Sequence, residues 1–319
     1  MIMVRLKFRV LKIRAHETKE DAEDIKPFLK GLDVVSSEHD FISESLARTF
    51  ETYVLARQIG FDSPEIRNLD RLIREPSREF GGYFSRLFDI LVEMRIPLAI
   101  LERLPDQESE RRIREAKAVH KIPCLKVFRG DIDSVCEIVF NQLEEVRVKR
   151  TEGRDRLMGE NSRTILNKIL ELYPSLIKRS EVNYGVIVGC SHYPEKYIEQ
   201  NGFETRVIEV PASREIRYNV SETVGEMRRR GAKREDLNDL LATRALIYAL
   251  AIVGAGTQEQ LVRDIETNLV GRANYTDVKE LFDKLARTTM DRDGRVSEAQ
   301  QDLVIGYTNR LLITPRVTV

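Results

Sequence analysis

Short apolar runs alternate with longer segments of helical character along the first two thirds of the chain. The runs are rich in Val, Ile and Leu and are followed by polar residues, Gly or Pro, a pattern that is typical of buried strands. They occupy 10–13, 32–35, 96–101, 184–188 and 203–210. Strands separated by helices predict an α/β fold with a mainly parallel or mixed sheet.

The last third of the chain shows helical periodicity alone. Leu237, Leu240, Leu241 and Leu246 recur at helical spacing, which predicts an amphipathic or buried helix. Helices are expected near 221–230, 234–252, 257–269, 275–288 and 297–312. We therefore predict an α/β domain over 1–212 and an all-helical C-terminal extension over 213–319. The extension is a candidate surface for homo-oligomer contacts.

Composition narrows the class of protein. The chain has 319 residues, of which 42% are hydrophobic and 33% charged, as in globular proteins. Its 52 basic and 52 acidic residues cancel, so we expect no nucleic-acid partner. The longest apolar run, 245–255, is too short to span a bilayer, so no membrane partner is expected.

Cysteine usage and the charged residues bear on location and source. Three cysteines cannot all pair, and Cys124, Cys136 and Cys190 lack metal-type spacing. A reducing, cytoplasmic location follows as the simpler interpretation. Abundant Arg and Glu without Trp is typical of a heat-adapted source.

Polar residues follow several predicted strands at the point where each ends. Because the carboxyl ends of parallel strands form the ligand-binding edge of an open sheet, these side chains are expected to converge. The residues are His16, Glu38, Glu102, Arg103 and His192. Imidazole and carboxylate together suit Mn²⁺, Co²⁺, Zn²⁺ or Fe²⁺, and a carboxylate can also act as a general base toward water.

Each candidate also has a structural interpretation. His192 could cap the following helix, and Glu38 could accept hydrogen bonds at the start of the next one. Glu102 could form a plain salt bridge, and Arg103 could pair on the surface. Cys190 lies beside the histidine loop, but nothing in the sequence indicates a lowered thiol pKa.

Six short motifs occur in an order that resembles a known family. They are Ile13-Arg-Ala-His16, Asp33-Val-Val-Ser-Ser-Glu38, Pro76-Ser-Arg-Glu79, Leu101-Glu102-Arg103, Arg154-Asp-Arg-Leu-Met158 and Gly189-Cys-Ser-His192. Together they resemble the TraB/TIKI group of the erythromycin-esterase and ChaN-like superfamily over residues 1–212. Ile13 and Ser77 stand where the family motifs have glycine.

The resemblance implies helices on both faces of the sheet. Relatives include metal-dependent proteases, an esterase that opens a macrolactone, haem-binding proteins and regulators of peptide signals. For this chain it implies a divalent-metal-dependent hydrolase of a peptide or ester bond. The roles assigned are metal ligation by His16, Glu38 and His192, catalytic anion binding by Arg103 and Arg154, and substrate contact by Glu79 and Glu102. The alternative is a non-catalytic ligand-binding or regulatory protein, which the two missing glycines favour.

Overall fold

Four parallel strands form one sheet in a computed structural model of the chain. The model describes residues 4–14, 18–39, 42–74, 81–118, 126–127, 129–213, 220–253, 268–288 and 296–313. The strands are β1 (Arg5–Ile13), β2 (Val34–Ser37), β3 (Glu181–Gly189) and β4 (Glu204–Val210), in the spatial order β2-β3-β1-β4. All three strand pairs are parallel, so the predicted α/β class with a mainly parallel sheet is confirmed.

The chain divides into two compact units, and the sheet lies in the first. That unit comprises Met1–Lys117 and Val148–Ile216. Its α-helices are α1 (Lys19–Ile25), α2 (Glu44–Gln58), α3 (Pro64–Arg74), α4 (Gly81–Met94), α5 (Asp106–Ala118), α7 (Gly153–Leu172) and α8 (Pro194–Gln200). Shorter turns at Lys26–Leu29 and Pro174–Lys178 are 3₁₀ helices, and Arg147–Glu152 is a π-helical segment.

Both faces of the sheet are covered, because successive strand residues point to opposite sides. On one face, Leu11 and Ile187 pack into a core with residues of α1, α2 and α4. On the other, Val10 and Val186 pack into a core with residues of α7 and α8. Helices on both faces therefore agree with the expectation from the family resemblance.

The apolar run 96–101 differs from the prediction, since it is not a strand. It touches β2 through one parallel bridge between Val35 and Leu98. The Val35 N–H donates to the Pro97 carbonyl, and the Ala99 N–H donates to the Val35 carbonyl, both at 2.9 Å. Pro97 has no N–H to extend the ladder. The run still lies beside β2 and delivers Glu102 to the carboxyl edge.

The second unit comprises Ala118–Arg147 and Arg217–Val319. Its described α-helices are α6 (Ile132–Val146), α9 (Val220–Arg229), α10 (Asn238–Ile252), α11 (Tyr275–Arg287) and α12 (Glu298–Ile313), with a 3₁₀ turn at Glu235–Leu237. Four of the five predicted tail helices are thereby confirmed, and 257–269 lies mostly outside the described residues. The division differs from the predicted one at 118–147, which the sequence pattern had assigned to the α/β domain.

Helix α10 forms the centre of this second core. Leu241, Ala245, Leu246 and Ala249 are fully buried along it, as its all-round apolar sequence predicts. Within the described ranges, none of the helices combines the length and the apolar character needed to cross a bilayer.

Candidate functional site

The strand ends that carry the predicted site lie side by side. Ile13 of β1 is in register with Gly189 of β3, and Ser37 of β2 is in register with Ile187. Glu38 follows β2 directly, and its Oε2 accepts the backbone N–H of Gly189 at 2.5 Å. This bond fixes the carboxylate of Glu38 across the carboxyl end of β3.

The imidazole of His192 lies between two carboxylates. A turn after β3, closed by a 3.0 Å bond from the His192 N–H to the Gly189 carbonyl, brings the side chain over the strand ends. Nε2 lies 3.0 Å from Glu38 Oε1, and Nδ1 lies 2.6 Å from Asp155 Oδ1. The residue is 3% exposed, so both contacts are shielded from water.

This arrangement determines the charge of His192. Burial lowers its pKa, but the carboxylates of Glu38 and Asp155 outweigh burial and raise the pKa to about 9. The ring is therefore an imidazolium at neutral pH, with an N–H directed at each carboxylate.

Asp155 is held in place from its other side. It lies in the first turn of α7 and is 1% exposed. Its Oδ2 accepts the backbone N–H of Tyr193 at 2.8 Å, while Oδ1 contacts the ring of His192. Because both oxygens are engaged, the carboxylate has a fixed orientation toward Nδ1.

Arg154 links the carboxylate of Glu38 to a further buried carboxylate, that of Glu102. Its Nε and Nη2 donate to the two oxygens of Glu102 at 2.6 and 2.8 Å, and Nη2 also lies 2.9 Å from Glu38 Oε1. Burial raises the pKa of Glu102 although Arg154 lowers it, and the two carboxylates raise the pKa of Arg154 despite burial. A bidentate guanidinium–carboxylate pair is among the strongest polar contacts in proteins.

A second imidazole, His39, follows Glu38 and has the opposite protonation state. Its Nε2 lies 2.8 Å from the hydroxyl of Ser37, and its ring stacks on Phe84 with centroids 4.6 Å apart. Burial and the nearby charge of Arg154 lower its pKa to about 3. His39 is therefore neutral at pH 7, beside a carboxylate that contacts a protonated histidine.

The predicted site residues divide into three groups. Glu38, Glu102, Arg154 and His192 come together in one cluster. Arg103 lies outside the cluster, since its Nε donates to the Ile100 carbonyl at 2.7 Å and its other nitrogens pair with Glu51 and Glu44. His16 and Glu79 lie outside the described residues.

Three residues of the cluster region, Ser37, His39 and Asp155, are not among the predicted site residues. Asp155 directly follows Arg154 at the start of a helix. Its place within the motif that begins at Arg154 was the sequence feature that could have identified it as a site residue. Ser37 and His39 flank Glu38 in sequence. Because successive side chains along a strand point to opposite sides, this alternation could have distinguished the orientation of Glu38 from those of Ser37 and His39.

Two of the three predicted metal ligands, Glu38 and His192, lie among the described residues, and His16 lies outside them. Glu38 Oε1 and His192 Nε2 are 3.0 Å apart, a spacing that two ligands of one ion can have. Glu38 Oε1 also lies 2.9 Å from Arg154 Nη2, and His192 Nδ1 lies 2.6 Å from Asp155 Oδ1. Across the described ranges, no group of three His, Cys, Asp or Glu side chains is spaced to hold an ion.

Comparisons of the chain with models of known protein families, with curated proteins and with solved structures gave no match.

Proposed function

We propose that the chain is a hydrolase of a peptide or ester bond and that Glu38, His192 and Asp155 form its catalytic group. One observation supports this most: an imidazolium is fixed between two carboxylates at the carboxyl edge of a parallel sheet. Groups whose pKa values are moved by their surroundings cluster at functional sites. The carboxyl edge of an open sheet is also where such folds bind ligands.

In the proposed reaction, Glu38 acts as the base and His192 as the acid. The side chain of Glu38 is 16% exposed, against 4% for His192 and 1% for Asp155, so Glu38 is the carboxylate that water reaches most readily. Glu38 takes a proton from a water molecule as the water oxygen attacks the carbonyl carbon. His192 gives its proton to the leaving oxygen or nitrogen as that bond breaks.

The other members of the cluster position these two groups. Transfer of the proton from Glu38 to His192, across their 3.0 Å contact, restores the starting state. Asp155 stabilises the imidazolium and sets the ring orientation. Arg154 contacts Glu38 Oε1 while it remains paired with Glu102.

The alternative, a non-catalytic ligand-binding or regulatory protein, has its own support. Both oxygens of Asp155 and of Glu102 accept hydrogen bonds from this chain, and His192 is almost inaccessible. Such an internally paired cluster can simply join the strand ends to α7.

Hydrolysis assays with a matched variant separate the two functions. The panel contains p-nitrophenyl esters, lactones and fluorogenic peptides, each with and without Mn²⁺, Co²⁺, Zn²⁺ or Fe²⁺. Glu38→Gln should lower hydrolysis by about 100-fold or more, since it removes the base. Glu51→Gln is the control, because Glu51 is also an Arg-paired carboxylate of the same unit but lies outside the cluster.

The outcomes are distinct. Hydrolysis by the natural chain and by Glu51→Gln, with its loss in Glu38→Gln, supports the enzyme. Hydrolysis that Glu38→Gln retains contradicts the proposal. Absence of hydrolysis across the whole panel, under every metal condition, favours the non-catalytic function.

A further inference from the structure

A buried lysine on the central strand β1 lies next to the histidine loop. Lys12 is 7% exposed and is the second-last residue of β1, in register with Val188 of β3. An ammonium group is rarely buried without a partner, because desolvation of its charge is costly. Its contacts therefore indicate what holds it there.

In the described part of the chain, Lys12 contacts two residues of the segment that follows His192. Its Nζ is 2.6 Å from Glu195 Oε1 and 3.5 Å from the centroid of the Tyr193 ring. The other oxygen of Glu195 is buried and has no hydrogen-bond partner in the described part of the chain. The anchoring of Glu195 thus depends on Lys12.

We propose that Lys12 is a positioning residue that holds Tyr193 and Glu195 in place. Tyr193 then keeps its backbone hydrogen bond to Asp155, and Asp155 keeps its contact with the ring of His192. The link is short: Tyr193 is in contact with Lys12 through its ring and with Asp155 Oδ2 through its backbone, at 2.8 Å. The helix that starts at Pro194 has no side-chain cap to fix its first turn, and the ion pair to β1 supplies that anchor. The role rests on the proposed function, but the position of Asp155 can be measured without any activity.

The test uses variants that separate position from charge. Lys12→Met alone leaves Glu195 buried and unpaired, so the main variant is Lys12→Met/Glu195→Met, which removes both charges together. The control is Lys7→Met/Glu181→Met, since this pair also joins a lysine of β1 to a glutamate, at 3.0 Å, but lies near the opposite end of the sheet. Lys12→Arg keeps a cation for both contacts and should restore the natural behaviour.

The main readout is the pKa of His192 from NMR of labelled imidazoles, assigned with His192→Gln among the four histidines. In the double variant, the pKa should fall from about 9 toward 6.5 as the contact with Asp155 loosens. The double variant removes one positive and one negative charge, whose direct effects on this pKa oppose each other, so a fall toward 6.5 identifies lost positioning. Where hydrolysis is observed, kcat should fall about tenfold or more with KM unchanged.

An unchanged His192 pKa in the folded double variant overturns the proposal, as does an equal fall in the Lys7→Met/Glu181→Met control. If the double variant does not fold, Tyr193→Leu decides, because it removes the ring while keeping both charges. A lowered His192 pKa in Tyr193→Leu supports the proposal, and an unchanged one overturns it. Failure of all hydrolysis assays would count against the proposed function alone, since the pKa readout stands without them.

Discussion

His192 should make the stability of the fold depend on pH in the alkaline range. The perturbation is His192→Gln, which removes the imidazolium from between Glu38 and Asp155. A rise of the pKa from 6.5 to about 9 corresponds to about 3 kcal/mol of folding free energy. Because the folded state binds the proton more tightly than the unfolded chain, this stabilisation is fully present below pH 6.5. It is lost as the pH rises through about 9.

The assay is urea unfolding of the natural chain and of His192→Gln at a series of pH values. The difference in free energy of unfolding should shrink by about 3 kcal/mol between about pH 6 and about pH 10. His39→Gln is the control for the alkaline part of this range, because His39 has a folded-state pKa of about 3 and stays neutral in both the folded and the unfolded chain there. A difference that is constant with pH, or that grows in alkali, would refute the imidazolium assignment.

Three further predictions concern Arg154, His39 and the close packing of Gly159. Arg154→Met leaves the buried carboxylate of Glu102 without its paired guanidinium and removes one of the two cations beside Glu38, so it should cost about 3–5 kcal/mol in urea unfolding; a loss under about 1 kcal/mol would contradict a buried network. The natural chain should lose stability relative to His39→Gln as the pH falls below 6.5, since the fold keeps this imidazole neutral; equal acid sensitivity in urea unfolding would contradict the low pKa. Gly159→Ala would place a Cβ 2.4 Å from a side-chain atom of α8 and should cost about 1–3 kcal/mol. By contrast, the added Cβ of Gly306→Ala meets open space in α12, and the substitution should raise the free energy of unfolding by about 1 kcal/mol. Equal shifts of Tm in Gly159→Ala and Gly306→Ala would contradict this prediction.

Much of the fold could be predicted, because parallel strands that are buried on both faces have continuous apolar sequences. The run around Val186 is buried on both faces of the sheet, and β-branched residues mark it clearly. The run containing Pro97 has the same composition but cannot complete a ladder, since proline lacks the N–H. Composition alone does not distinguish a strand from an extended segment that touches the sheet at one bridge.

The candidate site could be predicted only where strand ends determine it. Glu38 and His192 meet because β2 and β3 are neighbours with level ends. Of the two candidate arginines, Arg154 contacts this pair, whereas Arg103 pairs with Glu51, because adjacent residues of its segment point to different sides and Glu102 faces the cluster. Asp155 comes from a helix, so its contact with the ring depends on how α7 packs on the sheet.

The charge states of His39 and His192 could not be predicted from the sequence either. Both His39 and His192 follow strands, yet the pKa of one is lowered and that of the other is raised. Burial lowers both values, and only His192 has carboxylates close enough to outweigh it. Such distances follow from tertiary packing and have no signature in local sequence.

The pH dependence of hydrolysis tests the central claim most directly. With the ester or peptide that the natural chain cleaves best, kcat/KM should hold as the pH rises and then fall above about 9, as His192 loses the proton it donates. In Asp155→Asn the same fall should begin at lower pH, because the imidazolium has lost one of its two carboxylates. A rate that keeps rising above pH 9, or an alkaline limb unchanged by Asp155→Asn, would contradict His192 as the acid held between Glu38 and Asp155.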